Sequence, residues 1–136
     1  MKNDLHIQSV MHPLPHSVGY DQTLHTAKVM LAEYGIRHLP VQKGGELIGV
    51  ISERDIHFAL SVEHAEPEEL KVADCVTEEL FVVGPGEPVA AVARQMAEQR
   101  IGCALIVEND KLVGIFTTVD ACRTLHRVLE GDLSSK

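Results

Sequence analysis

The sequence predicts an α+β fold made of two tandem copies of one unit. Three observations carry this. The two halves align without a gap at a shift of 65 residues. Apolar residues recur at helical spacing early in each half. A turn dipeptide separates two apolar runs at the matching place in each half, Gly44-Gly45 and Asn109-Asp110.

Identity across the shift is sparse, but register and character persist. Leu5 meets Leu70, Val18 meets Val83, Ile36 meets Ile101, Gly49 meets Gly114 and Asp55 meets Asp120. Between them lie conservative exchanges such as Ile7/Val72, Val41/Ile106, Val50/Ile115 and Ser52/Thr117. Two copies in unbroken register imply a pseudo-two-fold relation between them. The expected organisation is repeat 1 at 7–62, a linker at 63–71, repeat 2 at 72–129 and a flexible tail at 130–136.

Each repeat reads as β-α-β-β-α. A short strand opens it, at His16-Ser17-Val18 and Phe81-Val82-Val83. A helix follows, with apolar Leu24, Ala27, Met30, Leu31 and Tyr34 in one copy and Val89, Val92, Met96 and Ala97 in the other. Spacings of three and four lay these on one helical face. Pro88 suits the first turn, and Gly35 and Gly102 stand where the helices are expected to end. Two strands come next, Leu39–Val41 then Leu47–Ile51, and Ala104–Val107 then Leu112–Phe116. A second helix closes each unit, about Ser52–Val62 and Thr117–Leu129. The strands are nearly all apolar, so helices are expected to cover the sheets on at least one face.

Composition bounds the function. The 136 residues are 45% hydrophobic and 24% charged, which excludes wholesale disorder and a disulfide scaffold. The net charge of −8 argues against a nucleic-acid binder and against docking on an anionic membrane. Cys75, Cys103 and Cys122 are odd in number and form no C-x-x-C pair, as expected of free thiols in a reducing compartment. No apolar run serves as a signal peptide or reaches the roughly 20 residues of a membrane span, so a cytoplasmic protein is expected. His12, His16, His25, His57, His64 and His126 show no metal-ligand spacing, and no metal is expected.

The chemistry concentrates at the strand-to-helix junctions, Gly49-Val-Ile-Ser52-Glu-Arg54-Asp55 and Gly114-Ile-Phe-Thr117-Thr-Val-Asp120. Each puts a hydroxyl at a helix start and an aspartate three residues on. A helix N-terminus offers unpaired N–H groups and a dipole that favours an anion. The hydroxyl can donate to phosphate, and the carboxylate can accept both hydroxyls of a ribose. The same pattern describes a capping box, where hydroxyl and carboxylate bond the helix's own N–H groups. On the pattern alone capping weighs more. The upstream glycine and the recurrence in both copies move the balance toward a nucleoside-phosphate site.

These residues resemble the CBS-domain pair, or Bateman module. The resemblance is carried by Val10-Met11, by Arg37-His38-Leu39-Pro40-Val41, by the stretch Leu47 to Ile56 and by Leu112 to Asp120. It implies a stand-alone regulatory, energy-sensing module with two pseudo-symmetric clefts between the repeats, each binding AMP, ADP, ATP or S-adenosylmethionine. One site would use Thr117 and Asp120, with Arg37 and His38 reaching across from the other repeat. The other would use Ser52 and Asp55, faced by Gly102 and Cys103, with Arg54 as its cation. The first looks the better equipped. Val119 departs from the pattern where the first copy has Arg54, as do Gly102-Cys103 where it has Arg37-His38. The resemblance also implies a homodimer and a separate regulated protein in trans, with no obligatory cofactor. The alternative is a dimerisation module with vestigial sites. An enzyme is not expected, since no nucleophile–base pairing or phosphate-cradling G-x-x-x-x-G-K loop is present.

Overall fold

A computed structural model describes residues 5–131. The chain divides into two compact units. One is residues 16–80, and the other joins the segment up to Pro15 to the chain from Phe81 onward. The sequence repeats are thus offset from the spatial units: the stretch preceding each repeat's first strand packs with the other repeat's helices and sheet. The part of the expected tail at 132–136 lies outside the described residues.

In the first unit β2 (Val18–Gly19) pairs in parallel with β3 (His38–Lys43), which pairs antiparallel with β4 (Glu46–Ser52). Gly44 and Gly45 turn the hairpin, both at positive φ (61° and 88°), as a tight two-residue turn matching the strand twist requires. Two helices, α1 (Leu24–Tyr34) and α2 (Glu53–Glu63), pack on the sheet. Leu24, Ala27 and Leu31 of α1 and Ile56 of α2 meet Val18, Leu39, Val41 and Ile51 of the strands in one buried cluster. Thr23 caps α1 by accepting from the Thr26 N–H, and Gly35 ends it in the left-handed region. Val72, fully buried, closes this core from a 3-10 turn at Val72–Asp74.

The second unit repeats the plan and extends it. β5 (Val82–Val83) pairs in parallel with β6 (Cys103–Glu108), β6 antiparallel with β7 (Lys111–Thr117), and β1 (His12–Pro13) adds antiparallel to the outer edge of β7. The two remaining helices are α3 (Val89–Gln99) and α4 (Thr118–Leu129). Val89, Val92 and Met96 form a core with Ile7, Ala104, Ile106 and Phe116, while Ala97 is exposed rather than part of the apolar stripe. Asn109 and Asp110 turn the hairpin at positive φ, as the glycines do in the first unit. The end of α3 corrects one expectation. Arg100, at φ 56°, takes the left-handed cap, not Gly102. It stands where Gly35 stands in the first copy, so the repeat register was the better guide than the nearest glycine.

The added segments obey the same register. His12 pairs with Ile115, and Thr77 bridges to Val50 through two backbone hydrogen bonds of 2.9 Å. Ile7 and Val72 are both fully buried at the start of 3-10 turns. Neither β1 nor these turns is legible in the sequence, because runs of two or three residues carry no periodicity. The segment 63–71, expected as a solvated linker, is one only in part. Most of its side chains are exposed, but its backbone is tied down: the Leu24 and His25 N–H groups donate to the Leu70 and Pro67 carbonyls.

Candidate functional site

The junction glycines are explained by packing. A Cβ on Gly49 would collide with the Thr77 carbonyl oxygen and lie 2.8 Å from a Val76 methyl. On Gly114 it would lie 2.5 Å from the Met11 sulfur and 3.1 Å from the His12 carbonyl oxygen. Each glycine lets the added segment cross its strand closely.

At the first junction Ser52 caps α2, its oxygen accepting from the Asp55 N–H at 3.0 Å. The Ser52 O–H remains a donor. Among the described residues no donor meets the Asp55 carboxylate, which is half-buried. His38 lies opposite Ser52 in the β3–β4 register, and the Glu53 N–H donates to the Arg37 carbonyl at 2.9 Å. The start of β3 is thereby fixed beside the start of α2. Ser52, Asp55, Arg37, His38 and Arg54 thus gather in one unit, with both arginines exposed.

The second junction resolves differently. Thr117 and Asp120 form a reciprocal capping box: the Thr117 N–H and O–H both donate to Asp120 Oδ2, at 2.9 and 3.1 Å, and the Asp120 N–H donates back to Thr117 Oγ1 at 3.3 Å. Arg123 Nη1 donates to Asp120 Oδ1 at 3.1 Å. Both carboxylate oxygens are occupied, and Asp120 is only 8% exposed. Gly102 and Cys103 stand beside this junction as Arg37 and His38 stand beside the first, with the Thr118 N–H donating to the Gly102 carbonyl. Cys103 is buried, and burial pushes its thiol up to about 11, so it stays protonated at neutral pH.

Arg123 was missed in the sequence. The signal was an arginine three residues after Asp120, on the same helical face. The matching residue of the first copy is Phe58, which cannot donate, so Asp55 lacks the counterpart of the Arg123 bond, and the box that closes on Thr117 does not close on Ser52. The second missed feature is a groove of about 550 Å³ beside Asp55, between α2 and the stretch Leu70–Cys75. Cys75 lines it, its thiol pushed up to about 11 by burial and then by the Asp55 and Asp74 charges. The positions 55, 58, 59 and 62 share a helical face, and that spacing was the legible sign.

His38 titrates below the ordinary histidine value because burial disfavours its cation, with Arg37 adding to the effect and Asp55 opposing it. The neutral ring is therefore the folded form, and the unfolded chain binds its proton more readily. Stability is predicted to fall as pH drops below about 6.5, and His38→Gln should flatten that slope. Urea titrations across pH 5 to 8 test this, and an unchanged slope in the variant would refute it.

Two copies of one small sheet-and-helix unit, each with a hydroxyl and an aspartate at a helix start, define a tandem-repeat module. The CBS domain profile matches residues 7–62 and 72–127, and the chain belongs to the CBS-domain family as a pair of such domains. Such pairs are generally regulatory modules. Over 105 residues (76% of this chain and 21% of that protein) it is 30% identical to inosine-5'-monophosphate dehydrogenase of Korarchaeum cryptofilum. It is 28% identical to the CBS domain-containing protein CBSX3, mitochondrial, of Arabidopsis thaliana, over 77% of this chain and 53% of that protein. The chain thus spans about a fifth of the dehydrogenase's length and about half of the other's. Among solved structures, a hexameric CBS-CP12 protein from bloom-forming cyanobacteria superposes with a TM-score of 0.79 at 25% identity, covering 91% of this chain and 74% of that one. No helix among the described residues is long and apolar enough to cross a membrane.

Proposed function

We propose that the chain is a regulatory module that binds an adenosine-containing ligand (AMP, ADP, ATP or S-adenosylmethionine) at its strand-to-helix junctions and signals occupancy through self-association. The unpaired Asp55 carboxylate carries this reading. No side-chain or backbone donor among the described residues occupies this half-exposed carboxylate, so it is open to the two O–H donors of a ribose diol. The free Ser52 O–H and the exposed Arg37 and Arg54 are suited to phosphate, and in a chain of net charge −8 such local cations are needed. Ligand can shift assembly only if it binds one state more tightly.

The same reasoning places Asp55 ahead of Asp120 as the ribose ligand, reversing the order expected from sequence. A ligand at Asp120 would have to displace Arg123 and the helix cap. This favours one working site and one whose carboxylate serves the fold. Titration calorimetry of the native chain with the four ligands tests the proposal. At least one should bind below millimolar concentration, and no heat from any of them at millimolar would overturn it.

A further inference from the structure

A second depression lies between α1 and α2 of the first unit, across α2 from the Asp55 groove. Positions 53, 56 and 57 share one face of α2, and 55, 58, 59 and 62 share the opposite one. The depression holds about 160 Å³, well below the roughly 300–1,000 Å³ of sites for drug-sized ligands, so its occupant is small. Its floor is apolar: Ile56 is fully buried, Leu31 nearly so, and Ile36 is half-buried beside them. Its rim is charged and of mixed sign. Lys28 of α1 and His57 of α2 supply N–H donors, and Glu53 in the first turn of α2 supplies an acceptor. All three are exposed, and among the described residues neither Lys28 nor His57 forms an ion pair with Glu53.

This lining discriminates between classes of small molecule. A simple anion would meet the Glu53 carboxylate, and a simple cation the Lys28 ammonium. A wholly apolar occupant would cover the rim without replacing its hydrogen bonds to water. A zwitterion with an apolar body satisfies both rim and floor, through charge-assisted hydrogen bonds at each end. We infer that the depression binds a free α-amino acid with an aliphatic side chain. Lys28 and His57 hold its carboxylate, Glu53 holds its ammonium, and the side chain lies on Leu31, Ile36 and Ile56. The inference rests neither on nucleotide binding nor on self-association, and it gives the module a second effector site.

The test is a titration of the ¹⁵N-labelled native chain with L-valine, L-leucine, L-isoleucine and L-methionine, followed by amide spectra. At least one should bind with a Kd of about 1 mM or tighter, moving the amides of Lys28, Ala32, Ile36, Glu53 and His57 most. Its N-acetyl derivative, which lacks the ammonium, and the corresponding amine, which lacks the carboxylate, should each bind about tenfold or more weakly. Glu53→Gln should weaken the amino acid by a similar factor while the rest of the spectrum stays native. Shifts from none of the four at about 10 mM, or shifts centred on other residues, would overturn the inference. So would an N-acetyl derivative, or a Glu53→Gln chain, that binds as tightly as the native pair. None of these results bears on the Asp55 junction, which is read with the adenosine-containing ligands alone.

Discussion

Asp55→Ala is expected to weaken binding of the adenosine-containing ligand by roughly 10- to 100-fold, the loss of two hydrogen bonds to a charged acceptor. The carboxylate is half-buried and meets no donor among the described residues, so its removal leaves no internal partner stranded. The fold should be unharmed. Asp120→Ala is expected to behave the opposite way. It removes the acceptor of the Thr117 N–H and O–H and of Arg123, costing about 1 kcal/mol or more of stability with little effect on affinity. Calorimetry and urea denaturation on both variants check the pair. Equal losses of affinity in the two would refute the ranking of the sites.

Gly49→Ala should be the most damaging of the small substitutions, at about 3 kcal/mol, the upper end for overpacking. The obstacle to the new methyl is the Thr77 backbone carbonyl, which also accepts the Val50 N–H at 2.9 Å. Relief requires moving that segment and breaking its bridge. Gly114→Ala meets first the Met11 sulfur, near the end of a flexible side chain that can swing aside. It should cost clearly less, and denaturant midpoints of the two variants decide. A Gly49→Ala chain as stable as the native one would show that the close crossing is not required.

The repeat made most of the fold legible. A register of 65 residues located both hairpins, the four α-helices among the described residues and both junctions. Four of the turn residues were read correctly because glycine, asparagine and aspartate tolerate positive φ. Arg100 defeated the same logic: it is an exposed non-glycine residue whose left-handed cap is closed by the Arg100 and Ile101 N–H groups donating to the Met96 carbonyl. β1 and the two 3-10 turns stayed hidden because they are defined by partners distant in the chain. At the site, residue types were legible and pairing was not. Ser52-x-x-Asp55 and Thr117-x-x-Asp120 look alike in sequence, yet one carboxylate is free and the other is enclosed. Part of the difference is Phe58 against Arg123, one helical turn beyond the motif, and part is that the reciprocal box closes on Thr117 but not on Ser52.

An adenosine-containing ligand at the Asp55 junction should be visible residue by residue. The most direct measurement is the amide ¹H–¹⁵N spectrum of the native chain, titrated with each of AMP, ADP, ATP and S-adenosylmethionine. The tightest of these should move the amides of Arg37, His38 and residues 52–55 most. A spectrum unmoved by all four, or moved most at residues 117–120, would contradict it.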